Sequence, residues 1–291
     1  MKKIWSWIKY SYIYAILLVT YIPLIIVVIL SFNGVTEKGN ISIYIGQNFS
    51  SDKPLTEGYN QLSEEVVPLL NSLMIGAVVT PISVFIATLT CFCLWNSRKV
   101  LSKTVLGVSN FSIVSPEVIT GLGLSILFIS TFLAVGVPLG ILTIILAHIS
   151  FCTPYAIVTI FPRMEKMNRN WVLASYDFGY RRWKTLIKIV IPFLMPTIIG
   201  ASLIVFTMSF DDFIITNFVR GSTQTISNQL YTLRRGIKGW AVAFGAIMLM
   251  IILFFAAITA VHKYFVQHNK KLIDWLSIWK KLGVLRKWKR L

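Results

Sequence analysis

Residues 163–192 read RMEKMNRNWVLASYDFGYRRWKTLIKIVIP. They form a polar, basic interruption between two long apolar runs, yet they carry a helical pattern of their own. Met164, Met167, Trp171, Ala174 and Phe178 recur at steps of three or four, while Glu165, Lys166, Asn168, Arg169 and Asp177 take the other positions. Gly179 ends the pattern, and an apolar run containing Pro192 follows. A chain that only crosses a bilayer has no need of a short amphipathic helix in an internal loop. A chain moved by a soluble partner does.

The rest of the sequence is strongly apolar. Of 291 residues 56% are hydrophobic and 13% charged, and mean hydropathy is +0.73. This composition belongs to polytopic membrane proteins. Tyr10–Phe32, Val66–Ser97, Thr185–Phe210 and Trp240–Val261 each hold the roughly 20 residues that cross the hydrocarbon. Thr104–Pro162 is long enough for two spans, with Gly136-Val137-Pro138 as the turn. The expectation is an all-α polytopic protein of six transmembrane helices, at about 12–32, 69–95, 105–131, 138–161, 186–210 and 240–262. The first apolar run is too long for a signal core and precedes no small-residue cleavage site, so it is expected to stay as the first span.

The formal net charge is +17, but its distribution speaks against nucleic acid. With both termini in the cytoplasm, the N-terminus, the 96–103 loop, the 163–184 loop with Lys188, and the tail hold 22 of the 28 Lys and Arg. This is the positive-inside asymmetry. The 33–68 loop is then extracytoplasmic and net acidic, and its turn-rich composition suggests a small cap. Arg220, Arg234, Arg235 and Lys238 run against the asymmetry. The expected organisation is a cytoplasmic N-terminus at 1–11, a membrane domain at 12–262 and a basic cytoplasmic tail at 263–291. Leu272, Trp275, Leu276, Trp279 and Leu282 give the tail an amphipathic helix that either lies on an anionic inner leaflet or binds a partner.

Several chemistries find no support in the sequence. Cys91, Cys93 and Cys152 sit in apolar runs and read as small buried residues rather than as a disulfide or metal site. His148, His262 and His268 form no constellation with Ser and Asp, so no catalytic residues are assigned. The phosphate-binding pattern Gly-x4-Gly-Lys-Ser/Thr does not occur. No cofactor is expected in this chain, and energy from ATP must come from another polypeptide.

Acids inside apolar spans are costly and therefore functional candidates. Glu117 lies in Val114-Ser115-Pro116-Glu117-Val118. One reading makes Ser115 an N-cap, Pro116 the first helical residue and Glu117 a partner of the helix dipole in a restarted third span. The other puts Glu117 on a transport path, where broken helices line cavities. Asp211-Asp212 follow the fifth span. Adjacent helical positions diverge by about 100°, so one should face a cavity and the other cap the next segment or pair with Arg220 or Arg234. Three carboxylates suit a cationic substrate, and Phe210, Phe213, Tyr231 and Trp240 could hold ammonium groups by cation–π contact. Arg234 and Arg235 argue the other way. His148 reads as an interior hydrogen-bonding residue.

Leu173-Ala174-Ser175, Gly179 and Ile189-Val190-Ile191-Pro192 resemble the cytoplasmic EAA loop of permease subunits of binding-protein-dependent ABC importers. In that family Glu-Ala-Ala is followed after three residues by Gly and after nine more by Ile-x-Leu-Pro. The family's Glu is Leu173 here and its second Ala is Ser175. The resemblance implies a type I ABC importer permease (MetI-like) fold, with the 163–192 loop coupling to a separate ATPase through Met167, Trp171, Ala174, Asp177, Phe178 and Gly179. An apolar ridge of this kind fits a helix-in-groove contact. Pro192 and Pro196 should kink the fifth span.

Ser115-Pro116-Glu117-Val118-Ile119, Ala147-His148-Ile149-Ser150-Phe151-Cys152 and Met208-Ser209-Phe210-Asp211-Asp212-Phe213 further resemble the PotC-type subunits of spermidine/putrescine importers. That resemblance implies that Glu117, Ser209, Asp211 and Asp212 lie on the path of a polyamine. It also implies partners: an ATPase subunit dimer that binds the ATP, a second homologous permease, and an extracellular or periplasmic polyamine-binding protein, with membrane lipid around them. The alternatives are an ABC permease for ferric iron, thiamine, sulfate or another small solute, and a secondary carrier that works without an ATPase.

Overall fold

A computed structural model of the chain describes residues 2–36, 39–41, 57–233 and 236–281. The described residues are helical, with no strand among them beyond two isolated bridges. The helices are α1 (Lys2–Leu30), α2 (Glu57–Glu64), α3 (Val66–Trp95), α4 (Lys99–Val114), α5 (Glu117–Thr131), α6 (Ile141–Glu165), α7 (Arg169–Asp177), α8 (Arg182–Thr185), α9 (Ile191–Asp211), α10 (Ile214–Val219), α11 (Ile226–Tyr231) and α12 (Gly239–Lys281). The chain divides into two units, 1–63 with 235–291, and 64–234.

Five described stretches are long and apolar enough to cross a membrane: Val66–Trp95, Glu117–Val135, Ile141–Glu165, Arg182–Asp211 and Gly239–Thr259. The apolar part of α1, Tyr14–Leu30, is shorter, about 25 Å as a helix against a hydrocarbon core of roughly 30 Å. Large apolar side chains stay exposed along most of these helices, among them Phe85, Leu203 and Phe254. In a membrane such surface meets lipid and costs nothing; in water it would be a liability.

In the first unit α1 packs along α12. Val35 and Ile41 form one bridge and Asn40 and Lys238 the other. Ile41 N–H donates to the Ile237 carbonyl at 2.8 Å. The expected cap over 33–68 is therefore described only at its ends, since 42–56 lie outside the described residues. The tail helix does not begin anew: α12 runs unbroken from Gly239 to Lys281, about 65 Å, which is twice the hydrocarbon thickness. Residues 282–291 lie outside the described set.

The second unit is built on α3, α6 and α9, which pack against one another around Ile75, Val79, Ile144, Ile160, Leu194 and Val205, all buried. Small and hydroxyl residues let these helices approach: Ala147, Ala156 and Ala201 are fully buried, as are Ser83 and Thr143. Cys91 and Cys152 are buried as expected, whereas Cys93 is exposed. The third span starts earlier than 105 and is broken at Pro116, as the restart read from the sequence anticipates. It is two helices, α4 and α5, with Ser115 and Pro116 extended between them (ψ 137° and 127°). Proline disfavours the helical conformation in the residue before it, so the break falls where the sequence places Pro116. Ser115 is not the cap. Its hydroxyl donates to the Phe111 carbonyl at 2.9 Å, and Pro116 is the N-cap without a side-chain bond.

The fifth span starts earlier than 186. It runs through α8, a π turn at Leu186–Val190 and α9. Ile191 N–H reaches back to the Leu186 carbonyl. Pro192 supplies no N–H, and the widened turn lies just before it. The second unit closes with α10 and α11, short helices sewn to the long ones by side-chain-to-backbone bonds. Thr143 Oγ1 donates to the Val219 carbonyl (2.7 Å), Ser125 Oγ to that of Phe218 (3.0 Å) and Asn71 Nδ2 to that of Gln224 (2.9 Å).

Gly221 holds the turn between α10 and α11 at φ +56°, and a Cβ there would run into the Leu139 backbone. Gly221→Ala should cost at least about 1–2 kcal/mol from the left-handed backbone alone. A clearly lowered melting temperature in detergent is the expected readout. Gly200→Ala, whose Cβ meets nothing within 4 Å, should leave the melting temperature unchanged.

Candidate functional site

The acids at the end of α9 divide their work. Asp212 leaves the helix in an extended conformation (ψ 121°) and turns inward, with the residue 8% exposed. Its carboxylate accepts from Thr216 N–H at 2.7 Å, from Thr216 Oγ1 at 2.8 Å, and from Ile215 N–H at 3.4 Å. It thus satisfies the first donors of α10, as the sequence anticipates for one member of the pair. Its own carbonyl accepts from Ser227 Oγ at 2.9 Å, which ties α11 to the same point.

Behind Asp212 stands His148 on α6, 1% exposed. Its Nε2 lies 2.9 Å from Thr216 Oγ1 and 3.4 Å from the Asp212 carboxylate, and its Nδ1 lies 2.8 Å from Ser209 Oγ. Donor counting orders the set. Thr216 has one hydroxyl proton and gives it to Asp212, so it accepts from His148 Nε2–H. Nδ1 and Ser209 Oγ share the remaining bond. A chain of bonds through Ser209, His148, Thr216 and Asp212 joins α9, α6 and α10. His148 is the interior hydrogen-bonding residue expected from the sequence. Ser209, 3% exposed, faces α6 inside this chain of bonds. It lies behind the wall of the cavity described next and does not line it.

That cavity, of about 360 Å³, is lined by Glu117, Phe151, Thr207, Met208, Asp211, Phe213 and Tyr231 together with Asp212 and Ile214. The Pro116 break places Glu117 at the first position of α5, and the last turn of α9 supplies Asp211. Neither side chain makes a hydrogen bond or ion pair among the described residues. Phe213 and Tyr231 stack beside them with centroids 4.5 Å apart and planes 14° from parallel. Phe210 instead stacks on Phe206 within α9. Arg220 is turned to the Thr223 carbonyl at 3.2 Å. Trp240 belongs to the other unit, and Arg234 and Arg235 lie outside the described residues. The cavity is thus an acidic and aromatic pocket, fit for a cation.

The second expected site, at 163–192, is a helix as anticipated, but its faces differ. The continuous face from Met164 to Phe178 does not exist, because α6 ends at Glu165 and α7 begins only at Arg169. Asn168 caps the new helix, accepting from Asn170 N–H at 2.9 Å. Met164 (0% exposed) and Met167 (3%) belong to the chain's own core. The exposed ridge is Trp171 (50%), Ala174 and Phe178 (82%), flanked by Leu173 (57%). Asp177 is exposed at the C-terminal end of α7, where the helix dipole disfavours an acid.

Gly179 ends α7 at φ +75°. Tyr180 N–H bonds to the Ser175 carbonyl (3.0 Å) and Gly179 N–H to that of Tyr176 (2.8 Å), the crossed pair of a left-handed helix stop. Trp171 meets Phe193 edge-on at 5.6 Å. The Arg163 guanidinium lies 4.7 Å over the same ring. Ser175 and Thr185, both buried, share a hydroxyl contact of 2.8 Å. Thus α7 is fixed to α8 and to the first turn of α9.

Residues 79–271 match the family described as binding-protein-dependent transport system inner membrane component. A spermidine/putrescine transport system permease protein PotC homolog of Mycoplasma pneumoniae is 42% identical, with 94% of this chain and 96% of that one aligned. The PotC permease protein of Haemophilus influenzae is 26% identical over 86% and 91%. The putrescine transport system permease protein PotI of Escherichia coli is 43% identical over a shorter stretch, 39% and 41% of the two chains. Among solved structures, a bacterial ABC transporter involved in alginate import superposes with a TM-score of 0.65 at 14% identity, covering 90% of this chain and 97% of that one. The MetNI methionine transporter superposes at 0.54 and 13%, covering 69% and 94%. These two likenesses concern the fold.

Thr216→Val keeps shape and removes the hydroxyl that serves both His148 and Asp212. It should destabilise the chain by about 1–3 kcal/mol, seen as a lower melting temperature in detergent, with Thr216→Ser near wild type. Equal melting of the Val variant and wild type would show that the bonded chain is not a structural tie.

Proposed function

This chain belongs to the family of binding-protein-dependent transport system inner membrane components, and from that premise we propose that it forms the translocation path of an ATP-driven polyamine importer. It is a multi-pass membrane protein with the fold of an ABC importer permease. Family members work with an ATPase and a substrate-binding protein. The observation that carries the polyamine reading is the pairing of two unbonded carboxylates, Glu117 and Asp211, with the stacked Phe213 and Tyr231 in one cavity. Relatives named for spermidine and putrescine transport support it. An anionic cargo would want Arg, Lys or helix N-termini at such a point, and among the described residues no Lys or Arg lines this cavity.

The finer organisation is read as follows. Six spans place both termini and the α7 loop in the cytoplasm. A dimer of ATPase subunits binds the ATP, a second homologous permease completes the path, and a polyamine-binding protein delivers cargo from outside. The ridge of Trp171, Ala174 and Phe178 enters a groove on the ATPase, and Asp177 meets a cation there. Closure of the ATPases pulls α7. Through Trp171–Phe193 and Ser175–Thr185 the pull reaches α9, whose far end carries Asp211. Glu117 and Asp211 then take the ammonium groups, each partly exposed to water so that the cargo is not trapped.

Asp211→Asn removes the charge and keeps the shape. In the full assembly it should raise KM for labelled spermidine uptake about tenfold, equivalent to roughly 1.4 kcal/mol of lost attraction, while copurification with the ATPase is unchanged. Wild-type uptake kinetics in this variant would remove the assigned site. Failure of excess unlabelled spermidine to compete with the transported cargo would remove the polyamine.

A further inference from the structure

A second cavity, of about 140 Å³, adjoins the first and shares Glu117 and Phe151 with it. Its character is different. Among the described residues it holds no charged side chain besides Glu117; its polar lining there is hydroxyl, from Ser112 and Ser115 at the end of α4, Thr120 on α5, and Ser150 and Tyr155 on α6. Two of these hydroxyls have already spent their protons. Ser112 Oγ donates to the Val108 carbonyl at 3.1 Å and Ser115 Oγ to that of Phe111 at 2.9 Å. A serine bonded in this way within its own helix keeps its lone pairs free. The wall therefore offers acceptors. An ammonium group is all donor, with three N–H bonds and no lone pair, whereas an oxyanion would meet the Glu117 carboxylate and two hydroxyls whose protons are already committed.

We propose that this cavity is an inner ammonium subsite, in which Ser112, Ser115, Ser150 and Tyr155 receive one amine of the polycation as it passes Glu117. The inference rests on the polyamine reading and extends it to residues on the far side of the α4–α5 break. The Pro116 break makes the subsite possible. A continuous third span would close this side with backbone; the break instead sets Glu117 between the two cavities. The order of strengths also suits transport. The first cavity holds its cargo by the charges of Glu117 and Asp211, the second by one shared charge and neutral dipoles. An ammonium held by neutral hydroxyls lacks the Coulomb attraction of a second carboxylate, so the amine moves toward weaker binding and can leave. Phe151, common to both cavities, presents an aromatic surface along the step.

The test uses the complete transporter, in cells or proteoliposomes, with labelled spermidine over a range of concentrations. Ser112→Ala combined with Tyr155→Phe removes two oxygens and no charge. The expected result is a KM for spermidine raised about three- to tenfold, with copurification of the ATPase unchanged. Ser112→Thr, which keeps a hydroxyl, should restore most of the affinity in the Tyr155→Phe background. If the double variant fails to assemble, Tyr155→Phe alone, which loses a single oxygen, is read against the same expectation. A wild-type KM, or a Ser112→Thr variant no better than Ser112→Ala, overturns the subsite while leaving the polyamine reading intact. Absence of polyamine uptake by the wild-type assembly overturns both.

Discussion

A carboxylate buried among apolar helices must be paid for with hydrogen bonds, and the payment for Asp212 organises this end of the molecule. Its carboxylate occupies the N-terminus of α10 and the Thr216 hydroxyl, and through Thr216 it reaches His148 and Ser209. Once Asp212 turns inward, its neighbour on the last turn of α9 is directed elsewhere, about 100° around the axis. Asp211 therefore lines the cavity with its charge unspent. One structural acid produces one available acid.

The second available acid comes from backbone chemistry. Pro116 cannot continue α4, and the two extended residues there end one helix and begin another. Glu117 is the first residue of the new helix, between a cavity with a second carboxylate and a cavity of hydroxyls. At the opposite end of the fifth span, the π turn and Pro192 adjoin the contacts that fasten α7. The same span thus begins near the proposed ATPase contact and ends at Asp211, some 30 residues apart in one helical run, or about 45 Å. A displacement of α7 has a stiff route to the cavity.

Much of this was legible in the residues. Apolar length marked the long helices, Pro116 and Gly179 marked breaks, and the adjacency of Asp211 and Asp212 implied their divergent roles. What escaped was the side-chain direction set by packing. Met164 and Met167 share a helical spacing with Trp171, but Asn168 restarts the helix between them, so both methionines turn to the core while Trp171 stays half exposed. Ser209 sits one turn from Asp212 and looked equally placed for cargo. Only the position of His148 on α6, distant in sequence, reveals that Ser209 faces inward. Ser115 had the composition of a cap but bonded backwards to Phe111, an option any helical serine has. The π turn has no composition signal of its own beyond the proline that follows.

The central claim is that this chain gives a polycation an acidic path whose opening is driven by ATP hydrolysed on another subunit. The most direct measurement is uptake of labelled spermidine into proteoliposomes containing the complete assembly and its binding protein, with ATP inside or outside the vesicles as the ATPase orientation requires. The account predicts accumulation that needs ATP and stops when a hydrolysis-deficient ATPase replaces the native one. Equal accumulation with the deficient ATPase, or by this chain without any ATPase, would contradict it.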